Sequence, residues 1–114
     1  MGFRITVQTL AVLRVLLDHP LQRHYGLEVA KAAGLASGSL YPILARLEQQ
    51  GWLTSDWEQV DQRQAGRPRR RYYQLTREGA AGAEQALAAT VERLSPQPGP
   101  GARPAPRPGW GVSL

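Results

Sequence analysis

The stretch Ser37-Gly-Ser-Leu-Tyr-Pro-Ile-Leu-Ala-Arg-Leu-Glu-Gln-Gln-Gly51 decides how the chain is read. Leu40, Ile43, Leu44 and Leu47 recur at i, i+3, i+4 and i+7, which places them on one side of an α-helix. Ser37 is the expected N-cap and Gly51 the expected residue just past the C-terminus. With the leucines turned inward, Gly38, Pro42, Ala45, Arg46 and Gln49 face out, and Ser39, Tyr41 and Glu48 lie on the flanks. That outer face is slim and small near its start, with an arginine and a glutamine further along. Such a surface suits entry into a DNA major groove, where a few hydrogen-bonding groups meet base edges. Pro42 conflicts with a regular first turn, because it has no N–H to give the Gly38 carbonyl. Either that turn bends or the regular helix starts nearer Ser39.

Upstream, Met1–His19 reads as a first helix marked by Leu10, Leu13, Leu16 and Leu17, with Val12 and Val15 making a second side apolar. His24–Gly34 reads as a short second helix whose narrow inner face is Leu27, Ala30 and Ala33. Only Gly34-Leu-Ala separates it from Ser37, the short glycine-containing turn of a helix-turn-helix. Downstream, Leu53, Ser55 and Trp57 alternate with Thr54, Asp56 and Glu58 as in a strand, and Arg71–Leu75 is a second strand candidate. Two strands joined by the polar segment Gln59–Arg70, directly after a helix-turn-helix, make a winged helix. The expected fold is mainly α with a small β-wing.

Thr76 is the expected N-cap of one more helix, with Glu78 at its positive end. Ala80, Ala83, Leu87, Val91 and Leu94 form its stripe at roughly heptad spacing, too slight to be buried on a small domain and suited to a second subunit. Gly79 and Gly82 weaken its start. From Ser95 to Leu114 come six of the nine prolines and four of the twelve glycines, the composition of a disordered tail with Trp110 as its one large residue. The division is then 1–75 as a winged helix-turn-helix, 76–94 as a dimerisation helix and 95–114 as tail.

A length of 114 residues allows one core. The net charge of +5 favours a polyanionic partner. Thirteen of the fourteen basic residues are arginine, suited to bidentate contact with phosphate or guanine. Arg63, Arg67, Arg69, Arg70 and Arg71 crowd the expected wing with no acidic residue among them, as a backbone or minor-groove contact requires. Cysteine is absent, so no disulfide or thiolate zinc site exists. The apolar run around Leu10–Leu17 is too short to span a bilayer, no signal peptide is evident, and a cytoplasmic location is expected. His19 and His24 lie in a polar turn without a carboxylate pattern for a metal. No phosphate-binding glycine loop, nucleophile elbow or carboxylate pair is present, which argues against an enzyme and calls for no cofactor.

Tyr41 is placed either to meet phosphate or base, or to pack on Trp52 or the wing; Tyr25 is placed either for phosphate or for the core. Ser37 and Ser39 combine hydroxyls with a helix N-terminus, which suits phosphate. Trp52, Trp57 and Trp110 are candidates for stacking on a small-molecule effector.

Taken together, Tyr25-Gly-x-Glu28, Ser37-Gly-Ser-Leu-Tyr-Pro-x-Leu-x-Arg-Leu-Glu48, Gly51-Trp-Leu, Trp57-Glu58, Gly66-Arg-Pro and Tyr72-Tyr-x-Leu-Thr-x-Glu-Gly79 resemble the PadR family of bacterial transcriptional regulators. Order and spacing agree from about Leu10 to Leu94. The resemblance implies a winged helix-turn-helix homodimer that represses transcription at an inverted repeat in double-stranded DNA, with the last helix on the partner subunit. It also implies that a small molecule at the dimer interface releases DNA in some members. Carried over by position, Ser37, Ser39, Tyr41 and Arg46 meet DNA from the third helix, Tyr25 meets phosphate, and Arg67, Arg69 and Arg70 act from the wing. The short second-to-third helix segment departs from many members. The lack of a larger C-terminal domain places the chain with the short subgroup. A winged helix used for protein–protein contact is the rival reading from another class.

Overall fold

The computed structural model describes residues 5–94; the expectations for 1–4, for the 95–114 tail and for Trp110 lie outside them. The order is α1 (Val7–Leu17), β1 (His24–Tyr25), α2 (Gly26–Ala33), α3 (Ser37–Gln49), β2 (Leu53–Trp57), α4 (Gln62–Ala65), β3 (Arg71–Leu75) and α5 (Arg77–Leu94). The strands form one antiparallel sheet in the order β1-β3-β2. This is a winged helix-turn-helix with one further helix, mainly α around a small sheet. Among the described residues no helix is long and apolar enough to cross a membrane.

Four helices and one face of the sheet close over a single core. Val12, Leu13 and Leu16 come from α1, Val29 and Ala30 from α2, and Leu40, Ile43, Leu44 and Leu47 from α3. Leu53, Tyr73 and Leu75 come from the sheet and Ala83 from α5. The apolar stripe of α3 is therefore buried in full, and truncating one of its leucines to alanine would cost about 2–5 kcal/mol.

Both helix-turn-helix ends stop in the same way. At the end of α3, Trp52 N–H donates to the Leu47 carbonyl at 2.9 Å and Gly51 N–H to the Glu48 carbonyl at 3.0 Å, with Gly51 at φ +79°. At the end of α2, Leu35 N–H reaches the Ala30 carbonyl at 2.9 Å and Gly34 sits at φ +71°. These are Schellman closures, and the left-handed residue each needs is a glycine. They aim the chain sharply, first from α2 into α3 and then from α3 into the sheet.

Several expectations need correcting. The first helix begins at Val7, capped by Thr6, whose hydroxyl accepts from Thr9 N–H, and its buried stripe is Thr9, Val12, Leu13 and Leu16. His24 and Tyr25 are not helical. They pair with Tyr73 and Tyr72 as a third strand, β1, too short to show alternation in the sequence. With α2 starting at Gly26, its inward stripe becomes Gly26, Val29, Ala30 and Ala33, and Leu27 is 46% exposed. The N-cap of α3 is Ala36 rather than Ser37, and its carbonyl accepts from both Ser39 and Leu40 N–H at 3.0 Å. Pro42 stands inside a continuous helix on the exposed side, where Gly38 is exposed as well and its carbonyl receives no N–H from residue 42. The polar wing contains the short helix α4, capped by the Asp61 carboxylate on Arg63 N–H at 2.8 Å.

Gly79 and Gly82 do more than loosen the start of α5. A Cβ on Gly79 would run into the Trp52 carbonyl, and one on Gly82 into the Trp52 indole. The two glycines let α5 lie directly on the residue that links α3 to β2. Thr76 holds the join as expected: its hydroxyl accepts from Gly79 N–H at 2.9 Å and donates to the Gly51 carbonyl at 2.7 Å. The expected α5 stripe divides. Ala83 is fully buried and Ala80 packs on the core, whereas Val91 and Leu94 are 65% and 79% exposed.

Candidate nucleic-acid interface

The outward side of α3 stands clear of the rest of the fold. Gly38, Pro42, Ala45, Arg46 and Gln49 are all exposed. Arg46 makes no side-chain hydrogen bond or ion pair with any described residue. Ser37 is exposed and Ser39 half-buried, and neither hydroxyl has a partner among the described residues. The helix thus presents two hydroxyls at its N-terminal end and one cation and one amide in its last turn.

A groove separates this helix from the wing, lined by Tyr25, Tyr41, Trp57, Pro68, Tyr73 and the arginines 67 and 69–71. Tyr41 rests on α2 at Gly26, where an added Cβ would come within 2.9 Å of the phenol oxygen. Desolvation by burial raises its pKa, with Tyr25 adding to the effect.

The wing arginines, alike in sequence, are used differently. Arg67 forms a fork with Glu58, its Nη1 and Nη2 donating to the two carboxylate oxygens at 2.7 and 3.0 Å. Arg70 backbone N–H donates to the same carboxylate at 3.2 Å. The Arg67 hydrogen bond is the main cause that lowers the Glu58 pKa to about 2, and Arg70 lowers it further. Arg67 therefore braces the base of the wing. The Arg70 guanidinium lies over the Tyr25 ring at 4.7 Å and that of Arg71 over the Trp57 ring at 4.9 Å, cation–π contacts that hold each beside the groove. Arg69 is exposed, holding the Val60 carbonyl through Nε at 3.1 Å, and Arg63 is exposed on α4.

Three features were not legible as contacts in the sequence. Arg23 pairs with Asp56 at 2.9 Å and covers Tyr72 at 4.7 Å, across the outer face of the sheet. Glu48 accepts from the Ser55 hydroxyl at 2.7 Å, and that hydroxyl accepts from Arg71 Nη2 at 2.7 Å. Glu58 closes the wing. The alternation of Leu53, Ser55 and Trp57 was the signal that put Ser55 on the helix-facing side; nothing local indicated its partners.

Trp52 and Trp57 do not share a cavity. Trp52 is half-buried beneath Gly79 and Gly82 at the start of β2, and Trp57 is 49% exposed at its far end, about 16 Å along an extended strand.

The family model of the transcriptional regulator PadR-like family matches residues 12–85, from the first core residue of α1 into α5. The chain belongs to this family. Its fold is similar to that of a PadR family transcription regulator from Clostridium difficile, with a TM-score of 0.59, 24% identity, and coverage of 78% of this chain and 94% of that one. It is also similar to Staphylococcus aureus MepR in a complex with DNA, at TM-score 0.60 and 21% identity over 78% of this chain and 67% of MepR. For Bordetella bronchiseptica BpsR, whose DNA binding is regulated by 6-hydroxynicotinic acid, the values are 0.62 and 21% over 76% of this chain. The chain spans 60% of the length of BpsR. No curated protein matches the sequence. The PadR-like regulator is thus a winged-helix transcriptional regulator by family and fold, and its family is not one of enzymes.

Proposed function

We propose that this PadR-like regulator binds double-stranded DNA sequence-specifically, as a cytoplasmic homodimeric repressor at an inverted repeat. The observation that carries the reading is the outward side of α3, unpartnered among the described residues, with Arg46 and Gln49 exposed next to a wing whose arginines lie over aromatic rings. Helix α3 enters the major groove and reads bases through Arg46 and Gln49. Ser37, Ser39, Tyr41 and Tyr25 meet the flanking phosphates, and Arg69, Arg70 and Arg63 follow the backbone from the wing. Arg67 serves by fixing the wing rather than by touching DNA. MepR, similar in fold, is known in complex with DNA, which supports the same docking here.

Residues 76–94 serve as the dimerisation helix, since Leu94 is exposed and Leu87 only half-buried on a helix whose first half packs on the core. A two-fold dimer then spaces its reading helices about 34–36 Å apart, one turn of the duplex, or a multiple of it. The test is selection of duplexes from a random-sequence pool, followed by anisotropy titration against the selected and shuffled sequences. An enriched inverted repeat bound well above its shuffled form is the expected result; equal binding to both overturns the reading. Sedimentation of the wild type should give a dimer, and Leu94→Glu should shift it toward monomer.

A small-molecule effector is a second reading, favoured by the exposed Trp57 ring beside Tyr25 and Tyr41 in one groove. Quenching of tryptophan fluorescence by a compound that also releases DNA supports it, and Trp57→Phe should reduce that quenching.

A further inference from the structure

Among the described residues, one side-chain hydrogen bond joins α3 to the sheet, and the serine that makes it also bonds across the sheet. Glu48, near the end of α3, is a carboxylate and can only accept, so the Ser55 hydroxyl spends its single proton on Glu48 at 2.7 Å. The oxygen of Ser55 is then left to accept, and Arg71 Nη2 supplies that bond at 2.7 Å from β3. The chain thus runs guanidinium, hydroxyl, carboxylate, with opposite charges at its ends, and both bonds are charge-assisted and partly buried. Arg71 is held at its other side by the Trp57 ring. Leu53, buried two residues before Ser55 on the same strand face, fixes where that hydroxyl stands against α3.

Leu40, Ile43, Leu44 and Leu47 seat one side of α3 in the core and the closures at Gly34 and Gly51 fix its ends, while the bond from Ser55 is the polar tie that joins its last turn to the sheet. Glu48 stands beside Leu47 and two residues after Arg46. A link at Glu48 therefore sets the angle at which Arg46 and Gln49 meet a base pair. We infer that Ser55 and Glu48, tied to Arg71, are positioning residues for sequence reading: they lock the rotation of α3 to the wing without touching DNA. The inference rests on the proposed DNA-binding function. It assigns specificity to half-buried residues behind the reading face.

The experiment compares wild type, Ser55→Ala, Ser55→Thr and Glu48→Gln on the duplex selected by the wild type and on its shuffled form, at several salt concentrations. Loss of the central hydroxyl should lower the selected-to-shuffled affinity ratio about tenfold, the size of one partly buried charge-assisted hydrogen bond. The salt slope of Ser55→Ala should stay at the wild-type value, because Ser55 neutralises no phosphate. Ser55→Thr keeps the hydroxyl and should restore the ratio, and Glu48→Gln keeps an acceptor and should retain most of it. An unchanged ratio in Ser55→Ala, or a changed salt slope, overturns the inference.

Hydrogen exchange without DNA separates this outcome from failure of the functional reading. Amides of residues 44–50 should exchange faster in Ser55→Ala while those of Val12 and Leu16 keep their wild-type rates. Faster exchange throughout would reduce Ser55 to general stability and overturn the inference. If no duplex is selected by the wild type, DNA reading fails, and the exchange rates alone decide whether the link holds α3.

Discussion

Arg67 and Glu58 face each other across the base of the wing as a two-point fork, at 2.7 and 3.0 Å. The first arginine of the wing's densest basic run is thereby tied within the wing as a brace, with Glu58 also receiving Arg70 N–H.

Acid should release that brace. The Glu58 pKa is depressed from the ordinary 4.5 to about 2, chiefly by the Arg67 hydrogen bond. A depressed carboxylate contributes stability above its unfolded value and loses it as pH falls through its folded one. The stability difference between wild type and Glu58→Gln should therefore be constant above about pH 4.5 and close between there and about pH 2. Carboxyl-carbon NMR reads the titration directly, and a Glu58 midpoint near 4.5 would show the fork absent in solution. Added salt should weaken the pair, which lies at the surface.

Helix and wing should divide the work on DNA. Arg46→Ala should relax base preference at one position of each half-site, costing about 1–3 kcal/mol on the selected sequence. Arg69→Ala should weaken binding to all sequences and reduce the salt slope by about 1. Anisotropy across a salt series separates the two, and an Arg69→Ala protein with altered preference but unchanged slope contradicts the division.

Gly26 should act on DNA through Tyr41. In Gly26→Ala the new methyl meets the tip of the Tyr41 side chain, the phenol oxygen at 2.9 Å, which can swing away. Unfolding free energy should change by less than about 1 kcal/mol, since alanine favours the helix, while affinity for the selected duplex falls several-fold. If affinity stays at the wild-type value in both Gly26→Ala and Tyr41→Phe, Tyr41 is no part of the interface.

Gly79→Ala should destabilise the fold despite alanine's better helix propensity. Propensity alone predicts a gain of about 1 kcal/mol in a helix interior. The contact with the Trp52 carbonyl, a backbone atom between α3 and β2, forces an overpacking cost of about 1–3 kcal/mol. Urea unfolding followed by tryptophan fluorescence measures the balance. A more stable Gly79→Ala would show that α5 does not lie this close to Trp52.

The sequence by itself determined the parts whose causes are local. The stripe Leu40–Leu47, the left-handed glycines at 34 and 51, the strand at Arg71–Leu75 and the cap at Thr76 follow from periodicity and backbone preference. They were enough to read a winged helix with a basic wing. Pairing between distant residues was decided only in the tertiary structure. His24 and Tyr25 are a strand because β3 offers them an edge, and a two-residue strand carries no period of its own. Arg67, Arg69, Arg70 and Arg71 look interchangeable along the chain, but Glu58, Val60, Tyr25 and Trp57 give each a separate task. Which charge is free and which is engaged depends on what the fold sets within about 3 Å of it for a hydrogen bond, or within about 6 Å for an aromatic ring.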